Sequence, residues 1–318
     1  MSPESVLCWS EDPDLAGQLV RLARSVASGP EDRVFAVSFD PPSDDGSRRI
    51  AEAGAHVLIR PNPAAAASTD PHVVASELRA LVDTSHVTLV LLGSTKRGRE
   101  IAGRLAGLLD APAETGVARV HLDAGAVVVE REMLSGNALA QETLIARPAV
   151  VAIMPDVSAP APPPTVPVVQ QVPSTSPAPL SERLELRPKP SGGVRLESAE
   201  RIVTIGRGLQ KKDDLVLIEA LATALGASVG CTRPLAAEAG WLSDDHWIGL
   251  TGHRVKPRLY IAIGVSGAVQ HLVGMRDSQT VVAINKDPNA PIFGQADYRV
   301  TGDLYAVVPA LTKALGAK

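Results

Sequence analysis

Twice along this chain β-branched apolar runs alternate with segments of helical spacing, and a proline-crowded zone separates the two stretches. In the first, Val6–Trp9, Val34–Phe39, His56–Ile59 and Val87–Leu92 have the length and residue types of strands, while Leu15–Val26, Ile50–Ala53, Val73–Leu81 and Glu100–Leu109 carry helical periodicity. In the second, strands are predicted at Ile202–Ile205, near Ser228, at Leu259–Ile263 and at Thr280–Ile284. The helices are predicted over Asp214–Leu225, Pro234–Ala239, Gly267–Met275 and Leu304–Leu315. Strands that are apolar throughout and joined by helix-length connections pair in parallel and need cover on both faces. The fold class is therefore α/β, with two domains, each a mostly parallel sheet covered by helices.

Between Pro155 and Pro190, through Pro162-Pro163-Pro164, Pro177 and Pro179, strand and helix periodicity disappears. Proline biases such a segment toward stiff, extended chain, so it reads as an interdomain linker. The expected division is an N-terminal α/β domain over 1–155, a linker over 156–198 and a C-terminal domain over 199–318. A length of 318 residues agrees with two cores.

Composition removes several classes of function. A formal net charge of −4 and only 3% aromatic residues provide neither the field nor the stacking surfaces that collect nucleic acid. Cys8 and Cys231 lie far apart, without metal-ligand spacing, and fit a reducing, cytoplasmic setting. The early acidic residues Glu11, Asp12 and Asp14 differ from a basic, then apolar, export signal. Apolar runs such as Val87–Leu92 are far shorter than the ~18 residues of a membrane span, so no direct membrane insertion is expected.

Ligands of open α/β sheets sit at the carboxyl ends of the strands. In the first half that position holds Gly93-Ser94-Thr95-Lys96-Arg97-Gly98-Arg99, where a tight turn alone accounts for the glycines. In the second half the ends carry Gly206-Arg207-Gly208, Cys231-Thr232-Arg233, Gly264-Val265-Ser266-Gly267 and Asn285-Lys286-Asp287-Pro288. Glycines there permit close backbone approach, the Ser266 hydroxyl and helix-start N–H groups suit a pyrophosphate, and Arg207 adds charge-assisted hydrogen bonds. The G-x-G-x-x-G fingerprint is absent, since Gly208 is followed by Leu209-Gln210-Lys211.

These residues form a dense, ordered match to a known family. Gly206-Arg207-Gly208-Leu209, Arg233-Pro234, Ala239-Gly240, Gly249 with Thr251-Gly252, the run Leu259 to Leu272, the run Ala283 to Phe293, Ala296-Asp297-Tyr298 and Asp303-Leu304 closely resemble the FAD domain of electron transfer flavoprotein alpha subunits. Across the first half the likeness is looser, resting on Leu92-Gly93, Gly98-Arg99, Gly136-Asn137-Ala138 and Arg147-Pro148. The resemblance implies a nucleotide-binding-like N-terminal domain that contacts a beta subunit, and a doubly wound FAD-binding C-terminal domain. It implies an electron carrier in a heterodimer, not a substrate-converting enzyme. Its electrons would come from dehydrogenases and pass to an acceptor oxidoreductase, which can be membrane-associated.

Carried over by position, the resemblance has Arg207, Ser266, Gly267, Ala268, Val269, Gln270, His271, Asn285 and Asp303 holding the FAD phosphates, ribose and adenine. Arg233, Thr251 and His271 lie around the isoalloxazine ring, and Thr232, Ile248, Gly249, Leu250 and Leu304 complete the cofactor-binding set. A guanidinium at ~4 Å with an effective dielectric near 20 attracts a negative charge by about 4 kcal/mol before desolvation. For a one-electron couple, ~1.4 kcal/mol of differential stabilisation is worth ~59 mV. Thr251 would hydrogen-bond near N5 and His271 would donate to the C2 carbonyl, although a threonine between glycines and a histidine early in a helix are more often turn and packing residues. Where the family commonly has Ser, Gln and Lys, this chain has Thr232, Leu250 and His253. Leu250 removes an amide, and Trp241 and Trp247 stand nearby.

Three rival readings are weaker. Gly264-Val265-Ser266-Gly267-Ala268 lacks the last glycine of a hydrolase nucleophile elbow, and His271 is the only histidine after Ser266. A module holding FAD or a nucleotide without redox traffic would not need Arg233, Thr251 and His271. An independent dehydrogenase would need a general base or a nicotinamide fingerprint.

Overall fold

The computed structural model describes residues 4–39, 45–61, 70–134, 136, 138–155, 159–160, 162–163, 165–175, 178–182, 184–185 and 194–316. Asn137, Pro164, Pro177 and Pro190 lie outside the described residues. The chain divides into two compact units, residues 1–186 and 187–318.

In the first unit, β1 (Ser5–Trp9), β2 (Arg33–Val37), β3 (Val57–Pro61) and β4 (Leu89–Gly93) alternate with α1 (Pro13–Val26), α2 (Asp45–Glu52), α3 (Pro71–Thr84) and α4 (Lys96–Leu109). β5 (Ala113–Asp123), β6 (Ala126–Met133), β7 (Ala138–Leu144), β8 (Ala149–Ile153) and β9 (Val168–Val172) follow, completing a nine-stranded sheet in the order β7-β6-β5-β8-β4-β1-β2-β3-β9. Helix starts are chemically specified. Asp12 accepts from the N–H groups of Asp14 and Leu15 ahead of α1, and Thr95 accepts from Gly98 ahead of α4. Leu15, Leu19 and Ile50 cover one face of the sheet, and Leu78, Ile101 and Leu105 the other. In the β4–α4 turn a Cβ on Gly98 would meet the Gly93 carbonyl oxygen at 1.9 Å. Glycine there allows the helix to close on the strand, a packing reason that involves no ligand.

Two parts of this unit were not legible as strands. β5, β6 and β7 form an antiparallel extension, with β5 pairing parallel to β8. The proline-rich zone, expected to lack strands, contains β9, which pairs in parallel with β3 from Val57↔Val168 to Pro61↔Val172. All its side chains but Val172 are exposed, so backbone pairing at a sheet edge, not apolar patterning, makes it a strand. Beyond β9, Glu77 of α3, only 2% exposed, accepts from the Ser174 and Thr175 hydroxyls at 2.6 and 2.8 Å. Asp70, 4% exposed, accepts from the Ser181 N–H and hydroxyl at 2.6 and 2.7 Å. Burial pushes the Asp70 carboxyl up, but the hydrogen bonds from Ser181, His72 and Leu180 outweigh it and bring it down to about 2.

The second unit is a five-stranded parallel sheet of β10 (Arg201–Ile205), β11 (Ser228–Cys231), β12 (Leu259–Ile263), β13 (Val281–Asn285) and β14 (Tyr298–Thr301), ordered β11-β10-β12-β13-β14. α5 (Leu215–Leu225) and α7 (Leu304–Gly316) cover one face through Leu215, Ile218, Leu221, Leu304 and Val308. Ile248, Val255, Met275, Ile292 and Phe293 cover the other, largely from turns. The helix predicted over Gly267–Met275 is only the short α6 (Val269–Leu272) followed by turns, and that over Pro234–Ala239 is one π-helical turn, Pro234–Glu238. Among the described residues no helix is long and apolar enough to cross a membrane.

The buried Glu77 carboxylate generates a prediction. Glu77→Ala removes the acceptor for Ser174 and Thr175, and amide hydrogen exchange in 168–175 should accelerate about tenfold, the equivalent of about 1.4 kcal/mol. Unchanged protection would mean that β9 pairing alone holds the segment.

Candidate functional site

Because β10 is flanked by β11 and β12, the progression of strand order switches direction between the parallel β10 and β12, and the connections after them leave toward opposite sides at the carboxyl edge. There the backbones touch. A Cβ on Gly206 would lie 2.4 Å from the Gly264 oxygen, and one on Gly208 would lie 2.5 Å from the Gly264 Cα. The Gly206 N–H donates to Ile263 and the Gly208 N–H to Gly264, both at 3.0 Å. Gly264 has φ +60, a value that favours glycine. The close approach these glycines permit is thus loop to loop.

Above this junction opens a cleft of ≈ 730 Å³, within the usual range for cofactor sites. Arg207 enters from the β10 loop, Thr232 and Arg233 from the β11 loop, Ser266 and Ala268 from the β12 loop, Gln270 and His271 from α6, and Asn285 from the end of β13. Ile248, Leu250 and Thr251 line it from the segment after the 3-10 turn Asp244–His246. The remaining predicted residues fall outside the lining. Gly267 is pressed against Ile292, where a Cβ would meet the Ile292 nitrogen at 2.1 Å, and Gly249 packs on the Gln270 carbonyl. Val269 is 46% exposed. Asp303 accepts from the Tyr305 N–H at 3.0 Å at the start of α7, and Leu304 is buried behind Gly264. Trp247, Lys286 and Pro291 line the cleft without having been predicted to do so. Lys286 directly follows Asn285 at a strand end, and that position was the available signal.

The lining is cationic and otherwise mixed. Arg207, Arg233, Lys286 and a single carboxylate, Asp287, line the cleft together with Thr232, Thr251 and Ser266 and the apolar Ile248, Leu250 and Val265. Such a set fits a dinucleotide, with cations and hydroxyls for phosphate and sugar and apolar walls for ring systems. Some lining groups are already engaged. Asn285 Nδ2 donates to the Val265 carbonyl at 2.8 Å and its Oδ1 accepts from the Asp287 N–H at 3.0 Å, which ties the β12 and β13 loops together. The Leu250 N–H donates to the Gln270 carbonyl at 2.7 Å, so this residue shapes the loop through its backbone while its side chain is 39% exposed. His253, also in this loop, pairs with Glu197.

His271 departs from its expected donor role. It is 6% exposed, Nδ1 bonds the Ile248 carbonyl at 3.0 Å, and Nε2 lies 2.9 Å from the Tyr260 hydroxyl. A carbonyl only accepts, so Nδ1 carries the proton, and the neutral ring leaves Nε2 to accept from Tyr260. Burial lowers the imidazole to about 4, against a smaller opposing effect of the Ile248 bond. Both nitrogens serve the protein, and no N–H remains for a ligand carbonyl.

Two family models match the chain. Residues 14–177 match the family described as electron transfer flavoprotein domain, and residues 195–276 match that described as electron transfer flavoprotein FAD-binding domain. The chain is 39% identical over 251 residues to an Escherichia coli (strain K12) protein named as electron transfer flavoprotein subunit YdiR, covering 76% of this chain and 78% of that protein. It is 37% identical over 235 residues to Protein FixB of Escherichia coli O17:K52:H18 (strain UMN026 / ExPEC), covering 71% and 73%.

The His271 geometry generates two expectations. On acidification the unfolded chain takes up a proton near 6.5, while folded His271 resists until about 4. Its contribution to stability is complete above 6.5 and is lost as pH falls toward 4, by about 3 kcal/mol, and urea unfolding of the wild type and His271→Gln across that range measures it. Tyr260→Phe strands the buried Nε2 and should cost about 1–3 kcal/mol at pH 7.

Proposed function

Since the chain belongs to the electron transfer flavoprotein alpha-subunit family and its cofactor is FAD, we propose that it is the FAD-holding half of a heterodimeric carrier with a beta subunit. The carrier takes electrons from dehydrogenases and passes them to a downstream acceptor, works in the cytoplasm and converts no substrate itself. The observation that carries this reading is the cationic cleft at the reversal of strand order, where Arg207, Arg233 and Lys286 meet apolar walls of dinucleotide dimensions.

Bound FAD would supply the electron storage. The protein's part is to bind, orient and tune. Arg207, Ser266 and Gln270 suit the pyrophosphate and sugar, with Lys286 adding charge at the rim. Arg233 and Thr251 suit the isoalloxazine ring, Arg233 by attracting the negative charge that reduction places there and Thr251 by a hydroxyl hydrogen bond. Ile248 and Leu250 would present apolar surface to the ring, and Leu250 offers no side-chain hydrogen bond. His271 orients its surroundings: it ties the Ile248 backbone to the buried Tyr260 and stays uncharged at neutral pH.

Co-expression with the beta subunit should give a yellow complex whose flavin is reversibly reduced by a donor dehydrogenase. Arg233→Gln should lower its reduction potential by ~60 mV for each ~1.4 kcal/mol of attraction lost, measured by spectroelectrochemistry. A complex that stays colourless when FAD is supplied contradicts the assignment, and one that binds FAD but exchanges no electrons is a cofactor-holding module instead.

A further inference from the structure

Arg233 and Trp247 reach the cleft on separate segments that the sheet brings side by side. Arg233 stands where the chain leaves β11 and begins the π-helical turn. Trp247 returns along the outer side of β11, forming a parallel bridge with Cys231. Its backbone is fixed on both sides: the Trp247 N–H donates to Asp244 at 3.1 Å, its carbonyl accepts from His253 at 2.8 Å, and the Ile248 N–H donates to Cys231 at 3.0 Å. His246, one residue earlier, bonds the Val229 carbonyl through Nδ1 at 2.7 Å. The indole is packed as well, since a Cβ on Gly252 would lie 2.9 Å from its Cγ and Cδ1. Against this fixed ring rests the guanidinium of Arg233, its central carbon 5.4 Å from the ring centroid.

The chemistry of the pair differs from that of an ion pair. Arg233 is an exposed side chain, and among the described residues no carboxylate pairs with it. A carboxylate would hold the guanidinium but cancel much of its charge at longer range. An aromatic face holds it through the ring quadrupole and leaves the positive charge uncancelled. A long, exposed arginine otherwise samples many rotamers, and the attraction it offers a ligand is diluted by that freedom.

We propose that Trp247 is a positioning residue that keeps the Arg233 guanidinium at the cleft, so that the preference of the site for reduced over oxidised flavin depends on the indole acting through that arginine. The inference rests on the reading of the cleft as the FAD site. It assigns Trp247 no contact with the cofactor.

The test uses the complete complex with the beta subunit and FAD, in wild type, Trp247→Leu, Trp247→Phe, Arg233→Met and the Trp247→Leu/Arg233→Met double variant. The quantity read is the ratio of affinities for reduced and oxidised FAD, obtained from the reduction potential of the bound flavin. Trp247→Leu should lower that ratio about 2–5-fold, the usual strength of an accessible cation–π contact. Trp247→Phe, which keeps an aromatic face, should lose less. In the Arg233→Met background, Trp247→Leu should add no further change. Equal changes in both backgrounds, or none in the wild-type background, overturn the proposal, because the indole would then act by packing or not at all. Thermal unfolding of each variant separates a misfolded complex from an altered one, with Trp247→Phe as the least disruptive arm. A wild-type complex that binds no FAD overturns the reading of the cleft, whereas a normal yellow wild type with an unresponsive Trp247→Leu overturns only the role of the indole.

Discussion

The second unit depends on a backbone contact that no side chain could share. Gly206 and Gly208 lie against Gly264 and Val265 at distances that exclude a Cβ, and hydrogen bonds from Gly206 and Gly208 lock the contact. A parallel sheet whose order reverses leaves a crevice between diverging loops. Closing its floor with glycine brings the loops after β10 and β12 together without filling the space above. Arg207, Ser266 and Gln270 then converge from elements that are remote in sequence. The Gln210 N–H bonds the Tyr305 hydroxyl at 2.9 Å, and Asn285 ties its loop to Val265, so the rim is held by the same frame.

Electrostatics of the cleft run against those of the chain. A formal net charge of −4 coexists with a lining in which Arg207, Arg233 and Lys286 outweigh Asp287. Local placement, not total charge, decides what a site attracts, because fields are focused in a cleft with low-dielectric walls. Holding His271 neutral belongs to the same design, since it keeps a titrating group beside the cleft from altering that field near neutral pH.

Much of this was legible in the sequence because parallel strands buried on both faces leave an unbroken apolar signature. Leu259–Ile263 matches its predicted bounds, and the convergence of strand ends in the second half followed from the alternation of elements. Patterning fails where burial is not the cause of structure. β9 is mostly exposed and exists through backbone pairing, and β7 alternates weakly at an outer edge. The short α6 has helical spacing, but Gly267 at φ +89 and the turns through Met275 interrupt it. His271 lines the cleft, but its partners Ile248 and Tyr260 come from other segments, and no local pattern announces what its two nitrogens bond. Trp247 was visible only as an aromatic near the site, because its relation to Arg233 requires the bridge to Cys231.

The pairing of 168–172 with β3, and the hydrogen bonds of Ser174, Thr175 and Ser181, carry the first unit well past the point where its apolar patterning ends. Composition assigns the free chain to 156–198, but with Ser181 held by Asp70 and Val194 already packed in the second core, only about a dozen residues lie between anchored points. A stretch that composition reads as connector thus belongs in part to the rim of the first sheet, held there by a few hydrogen bonds to Asp70 and Glu77.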